Sequence, residues 1–236
     1  MKYKKKWFIL LISVALLASC STTKVLPTQS ANTTYRIGDV YNQNGVKGIV
    51  VDVDNTGKHG IIMSIGSSDA RWIASNDLKF ETTSFYEDDG AKNMEVIAKY
   101  IKDNNKSWAD FPLFNWARSL GEGWYIPSKE EALKIWKNIN GGTMTYNKST
   151  FKKFDENQRR YGGDNLVDTR FYIGSKQPWY WYTSTEAEEG SVYSVQFKQD
   201  FKSQLIVGFS ATIDAFPAVK KPVFGNLYKS RAIYKF

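Results

Sequence analysis

The chain has 236 residues, with 32 Lys plus Arg against 24 Asp plus Glu, one His and one Cys, for a formal charge of +8. One His and one Cys cannot build a Cys/His zinc site, a disulfide framework or a Cys–His catalytic pair. A hydrophobic share of 42% with 24% charged residues excludes a disordered chain, and the length suits one large domain or two small ones.

Lys2, Lys4, Lys5 and Lys6 form a basic start, followed by an apolar run from Trp7 to Leu17 broken only by Ser13. That run is shorter than the roughly 20 residues needed to cross a bilayer and reads as the apolar region of a signal peptide. Its end, Leu17-Ala18-Ser19-Cys20, resembles the lipobox of bacterial lipoproteins. The resemblance implies cleavage after residue 19 and diacylglycerol on the Cys20 thiol, so the membrane is an expected partner through a lipid anchor. Removing residues 1–19 takes four cations and no acid, leaving 28 basic against 24 acidic residues, a net +4. The remaining cations are scattered doublets such as Lys152-Lys153 and Arg159-Arg160, and no nucleic-acid partner is expected. Residues 20–34 are rich in Ser and Thr and lack an apolar period, the composition of a flexible tether with a typical span of roughly 20 Å.

From Tyr35 the pattern is β. Ile37 to Tyr41 and Val46 to Val53 flank Asn44-Gly45, which favours a tight hairpin. Ile49, Val50, Val51 and Val53 make a nearly continuous apolar run, which predicts a strand buried on both faces. A turn at residues 55–57 leads to a strand over 60–65, and Arg71-Trp72-Ile73-Ala74 reads as another short strand.

The middle is helical. Met94, Ile97, Ala98 and Ile101 share one helix face, as do Leu113, Trp116, Ala117 and Leu120, and Ala132, Ile135, Trp136 and Ile139. Asp110 and Pro112 suit the start of the second helix and Gly121 its end. Ser128 and Glu131 form a capping box for the third. A fourth helix is expected over Ser149–Tyr161, with Phe151, Phe154 and Gln158 on one side. Strands return over 180–184, 192–197, 205–209 and 232–236. Strands, then helices, then strands make an α+β fold rather than a repeating βαβ sheet.

Asp52-Val53-Asp54-Asn55-Thr56-Gly57 has the opening oxygens of a calcium loop, but Met63 stands where a bidentate Glu is needed. A β-turn is the better reading, and no metal is expected. His59 is isolated at a turn with no identifiable nucleophile beside it. Carboxylates such as Asp88-Asp89, Asp164, Asp168, Glu186 and Glu188-Glu189 could in principle form a hydrolytic pair, but with 24 acids such a coincidence has little weight. No catalytic residue and no cofactor is assigned. Pro178-Trp179-Tyr180-Trp181-Tyr182 is the densest aromatic stretch. On a strand, Trp179 and Trp181 face one way and Tyr180 and Tyr182 the other. One face could stack on a sugar ring; burial of both faces is the more usual use of large aromatics.

Gly121-Glu122-Gly123-Trp124-Tyr125-Ile126-Pro127-Ser128-Lys129-Glu130-Glu131 resembles the G-x-G-W-x-[LI]-P-[ST]-x-x-E signature of the Legionella collagen-like protein C-terminal domain family, the DUF1566 type. Trp181-Tyr182-Thr183-Ser184-Thr185-Glu186 is similar to its Y-W-S-S-T-E strand, Val192 to Phe197 to a following strand, and Arg231 to Phe236 to its terminal strand. Gly48 to Val51 and Lys58-His59-Gly60 resemble the hairpin preceding this domain in lipoproteins of Bacteroidetes bacteria. The likeness runs from Tyr35 to Phe236. It implies one C-type-lectin-like α+β domain with an N-terminal β-hairpin region (35–85), central helices and C-terminal antiparallel strands (main body 90–236), whose terminal strands pair. Glycan-related binding and adhesion are known roles of the family, and it shares no catalytic residues. Lectin calcium motifs are absent, as are the paired cysteines of the related formylglycine-generating enzymes, and residues 198–230 form an unusually long connection.

The expected function is a non-enzymatic, lipid-anchored envelope protein that binds a glycan or a protein partner. Its ligand-binding candidates are Trp179, Trp181, Tyr182, Glu186 and Tyr193. The alternatives are an assembly component that docks a partner on the 198–230 segment and, last, a carboxylate-based glycan hydrolase. The anchor places the protein on the outer membrane, with the periplasmic and the outer face both open.

Overall fold

Asn44 and Gly45 both take positive φ, 52° and 80°, and turn strand β1 (Val40–Gln43) back into β2 (Val46–Val53). Positive φ at both turn positions matches the right-handed twist of the flanking strands. The computed structural model describes residues 33–74, 81–143, 147–164, 179–187, 191–197, 213–217 and 229–236. The expected signal peptide, Cys20, tether residues 20–32, the strand over 205–209 and most of the 198–230 connection lie outside them. Strand β1 begins at Val40 rather than Ile37. The Asp39 carboxylate accepts the Arg36 N–H at 2.7 Å and Gly38 takes φ 90°, so residues 36–39 form a turn.

β2 pairs antiparallel with β3 (Gly60–Met63), and β3 pairs antiparallel with the C-terminal strand β7 (Ile233–Lys235). The sheet order is β1-β2-β3-β7, so the lead-in and the end of the chain share one sheet. Ile49, Val50 and Val51 are fully buried. Ile49 and Val51 enter one apolar cluster and Val50 the other, as the two-residue period of a strand requires. Residues 71–74 are not a strand. Trp72 and Ile73 are buried by irregular chain, where Ala74 N donates to Asp110 O and the Trp72 indole donates to Thr183 O at 3.0 Å.

Four helices follow: α1 (Gly90–Asp103), α2 (Pro112–Ser119), α3 (Lys129–Ile139) and α4 (Lys148–Arg160). Pro112 opens α2, but Asp110 does not cap it. Asp110 accepts from Ser107 N and Oγ and closes a 3₁₀ turn over Trp108–Asp110. The α3 capping box is present in both directions, with Glu131 N to Ser128 Oγ at 3.3 Å and Ser128 N to Glu131 Oε2 at 3.0 Å. Asn147 caps α4, whose Phe151, Phe154 and Gln158 are buried.

A second antiparallel sheet has the order β4-β5-β6, from β4 (Trp179–Glu186), β5 (Ser191–Phe197) and β6 (Ile213–Pro217). Helix α3 packs on β2 of the first sheet and on β4 and β5 of the second. Ala132, Ile135, Trp136 and Ile139 thus share a core with Ile49, Val51, Trp181 and Val195. Each such apolar side chain stabilises the fold by about 1.5–3 kcal/mol on burial. The Tyr125–Pro127 segment joins the two sheets. Tyr125 exchanges both backbone bonds with Ile233 of β7, at 3.0 and 2.8 Å, and Pro127 O accepts Ser184 N of β4 at 2.8 Å. Arg231 is buried just before β7, donating to Ser64 O, Ile65 O and Asp164 O. Burial brings its pKa down to about 10, against the pull of Asp164 and Asp155.

Candidate functional site

The proposed site residues divide sharply in this fold. Trp181 is 2% exposed and packs with α3 and β2, while its neighbour Tyr182 turns to the opposite cluster and is also buried. Neither ring offers a free face for stacking. The Trp179 side chain and Cys20 lie outside the described residues. Tyr193 is half-buried, and the Lys129 ammonium sits 4.8 Å from its ring centre.

Glu186 points inward rather than toward a ligand. At 5% exposure its carboxylate accepts Thr82 N on both oxygens at 2.9 Å and Ser84 N at 3.3 Å. Burial raises its pKa, and the N–H donors of residues 82–84 oppose that rise. Glu186 N in turn donates to Ser84 O. The C-terminal end of β4 therefore grips the loop that leads into α1.

The same loop is gripped a second time. Asn93, wholly buried on α1, accepts Tyr86 N at 3.0 Å and donates to Tyr86 O at 2.7 Å, so one amide satisfies both backbone groups of one residue. Thr185 Oγ1 also donates to Tyr86 O, and accepts Lys129 N. Gly90, at the start of α1, has no room for a side chain: a Cβ there would lie 2.4 Å from Ile126 O. Its N–H donates to Glu131 Oε2, which ties the loop's exit to the α3 cap.

Within the first grip the backbone is strained. Thr83 has φ 66°, a region that a β-branched residue rarely enters. Such strain persists only where the surroundings over-determine it, and it clusters at functional sites. The residues this geometry presents are Phe85 at 44% and Tyr86 at 45% exposure, the two most exposed large hydrophobic side chains among the described residues. Sequence analysis missed both, because Phe85-Tyr86 belongs to no helical or strand period. The available signal was two adjacent aromatics inside Glu81-Thr82-Thr83-Ser84-Phe85-Tyr86-Glu87-Asp88-Asp89, a polar stretch with no apolar partner.

Compared with known proteins, the chain matches no family model and no curated protein. A fimbrial protein from Bacteroides ovatus ATCC 8483, solved by crystallography, is similar at 15% identity and a TM-score of 0.46. The likeness covers 80% of this chain and 44% of the fimbrial protein, so the chain spans less than half of that protein's length. A likeness of this degree defines neither fold family nor function.

The remaining sequence motifs have ordinary structural roles. Asp54 accepts Thr56 N, Thr56 Oγ1 and Lys58 N and shapes its own turn, while Asp52 faces Lys134 at 2.6 Å and Asn138 at 3.0 Å. His59 is exposed at the strand end. Tyr125 donates its hydroxyl to Glu131 at 2.9 Å, and burial beside that carboxylate raises its pKa. Among the described residues no three His, Cys, Asp or Glu side chains are placed to hold a metal ion, and no helix is long and apolar enough to cross a membrane. A cleft of about 320 Å³ lies where Ile37 and Gly38 meet the end of α3 and the first half of α4. Its floor is Ile139 and Phe154, and Lys153 is the one ionisable side chain lining it. The cleft lacks the convergent polar groups that orient a ligand.

Proposed function

We propose that the protein is a non-catalytic binding module of the cell envelope, held to the outer membrane by lipid on Cys20, which engages a glycan or protein partner through the loop over Thr82–Glu87. One observation carries the binding role. Two adjacent aromatics are left in water by a backbone that a buried carboxylate, a buried amide and a strained Thr83 hold in one conformation. A rigid loop with exposed aromatic side chains loses little entropy when a partner covers it. The anchor rests on the lipobox-like Leu17-Ala18-Ser19-Cys20.

The C-type-lectin-like fold, of the DUF1566 type, is part of the same proposal. It is supported by the Gly121–Glu131 signature, built as a strand-like bridge, a Pro stop and a Ser-capped helix. Pairing of the C-terminal strand with the lead-in sheet also supports it.

Binding of glycan and envelope-protein panels to the purified chain tests the function. Loss of the captured ligand in the double variant Phe85→Ala/Tyr86→Ala, with an unchanged melting temperature, is expected. Equal capture by the variant would reject the loop as the site. Mass analysis of the membrane-extracted protein and of Cys20→Ser tests the anchor: a diacylglycerol adduct should be present in the first and absent in the second.

A further inference from the structure

The chemistry around Phe85 and Tyr86 is lopsided in a chain of net positive charge. Glu81 to Asp89 carries four carboxylates and no cation. Among the described residues, the cations nearby, Lys92, Lys129 and Lys235, are already engaged. Lys129 lies 2.7 Å from Glu87 and 3.7 Å from Glu130, Lys92 lies 2.7 Å from Glu95, and Lys235 lies 3.7 Å from both Asp89 and Glu131. Glu81 and Asp88 are exposed and, among the described residues, have no ion-pair partner. The aromatic pair therefore has unpaired carboxylates on both sides of it in sequence.

This combination favours one class of partner. A cation over an aromatic face gains about 0.5–1 kcal/mol at an exposed site and about 2 when desolvated. Flanking carboxylates add attraction that is long-ranged at low salt. The same charges repel nucleic acid, acidic polysaccharide and anionic lipid headgroups. The fold supplies an internal precedent: the Lys129 ammonium lies over the Tyr193 ring while Glu87 holds it from the side. A carboxylate beside an aromatic ring is thus already used here to seat a lysine.

We propose that the Phe85–Tyr86 loop binds a lysine- or arginine-bearing segment of a partner protein, with the aromatic rings taking the cationic side chains and Glu81 and Asp88 supplying the counter-charge. This rests on the reading of the loop as the binding site and names the chemistry of what it binds.

The test uses the full chain and two fluorescent peptides, one alternating Lys and Gly and one alternating Glu and Gly. Binding of the Lys peptide, weakening as salt rises, is expected, with no binding of the Glu peptide. Phe85→Ala and Tyr86→Ala should each weaken the Lys peptide about 3- to 30-fold. Asp88→Lys should weaken it further at low salt than at high salt. Glu186→Ala loosens the loop without touching the peptide and should also lower affinity, whereas Leu120→Ala, an exposed apolar residue at the end of α2, should not. Equal binding of both peptides, or Lys-peptide binding indifferent to Phe85 and Tyr86, would overturn the proposal. A neutral oligosaccharide bound by the chain and lost in Tyr86→Ala, with no Lys-peptide binding, would overturn the cationic assignment while leaving the loop as the binding site. Self-association lost in Tyr86→Ala, with neither peptide bound, would likewise replace the proposed partner by a second copy.

Discussion

Trp181-Tyr182 and Phe85-Tyr86 are both adjacent aromatic pairs, and the fold treats them in opposite ways. On β4 the backbone alternation sends Trp181 into the core beside α3 and Tyr182 into the core beside α1, so both are buried. On the loop before α1 the side chains of Phe85 and Tyr86 are exposed. The polar groups are arranged in reverse. Around Phe85 and Tyr86 the backbone is bonded to the buried groups of Glu186, Asn93 and Thr185. At Trp181 and Tyr182 aromatic density in the sequence thus marked packing, while the exposed pair Phe85-Tyr86 lies in a polar stretch.

The contrast can be broken from either side. Trp181→Ala removes a core side chain shared by both sheets and α3, and should destabilise the domain by about 3–5 kcal/mol, read from denaturant unfolding. A loss below about 1 kcal/mol would show that β4 is not core. Glu186→Ala leaves Thr82 and Ser84 N–H groups without their acceptor and should cost about 1–3 kcal/mol. Faster proteolysis near residues 82–86 should accompany that loss.

The Glu186 carboxyl also carries a pH signature. Its pKa is raised in the folded state, so the fold holds the proton more tightly than the unfolded chain does. The associated stability is full below the ordinary glutamate range and is lost as pH rises through the raised value. Melting temperature against pH should therefore fall across that window in the wild type and stay flatter in Glu186→Gln.

Smaller effects sharpen the comparison. Thr83→Asn replaces a β-branched residue at φ 66° by one that tolerates the left-handed region, and should stabilise the chain by about 1 kcal/mol. No gain would mean that the Thr83 side chain makes up for its strain. Tyr86→Ala should change stability by no more than about 0.5 kcal/mol, since its ring is exposed and its backbone bonds remain. A larger loss would make Tyr86 a packing residue and remove it from the binding surface.

Much of the architecture could be read from local pattern. The Asn44-Gly45 hairpin, the doubly buried run Ile49-Val50-Val51 within β2 and the apolar faces of Ile97/Ile101 and Ile135/Ile139 all follow from spacing within one local backbone geometry. The Ser128/Glu131 capping box is legible for the same reason: its two partners are three residues apart. What failed was longer in range. Arg71–Ala74 looked like a strand from its side chains, yet Trp72 is fixed by Thr183, more than a hundred residues on. Asp110 looked like the cap of α2 but closes the turn before it, since Ser107 offers a nearer donor pair.

The candidate site shows this limit most clearly. By itself the sequence determined an α+β chain, the hairpin, the helix faces and the lipobox-like Cys20, all short-range features. Only the tertiary structure turned Glu186 from a candidate ligand contact into the anchor of a loop, and raised Phe85 and Tyr86 from unremarkable loop residues to an exposed pair. The physical reason is separation along the chain. Glu186 meets Thr82 across 104 residues and Ser184 meets Asn93 across 91, and contacts of that span leave no periodic trace for a local reading to find.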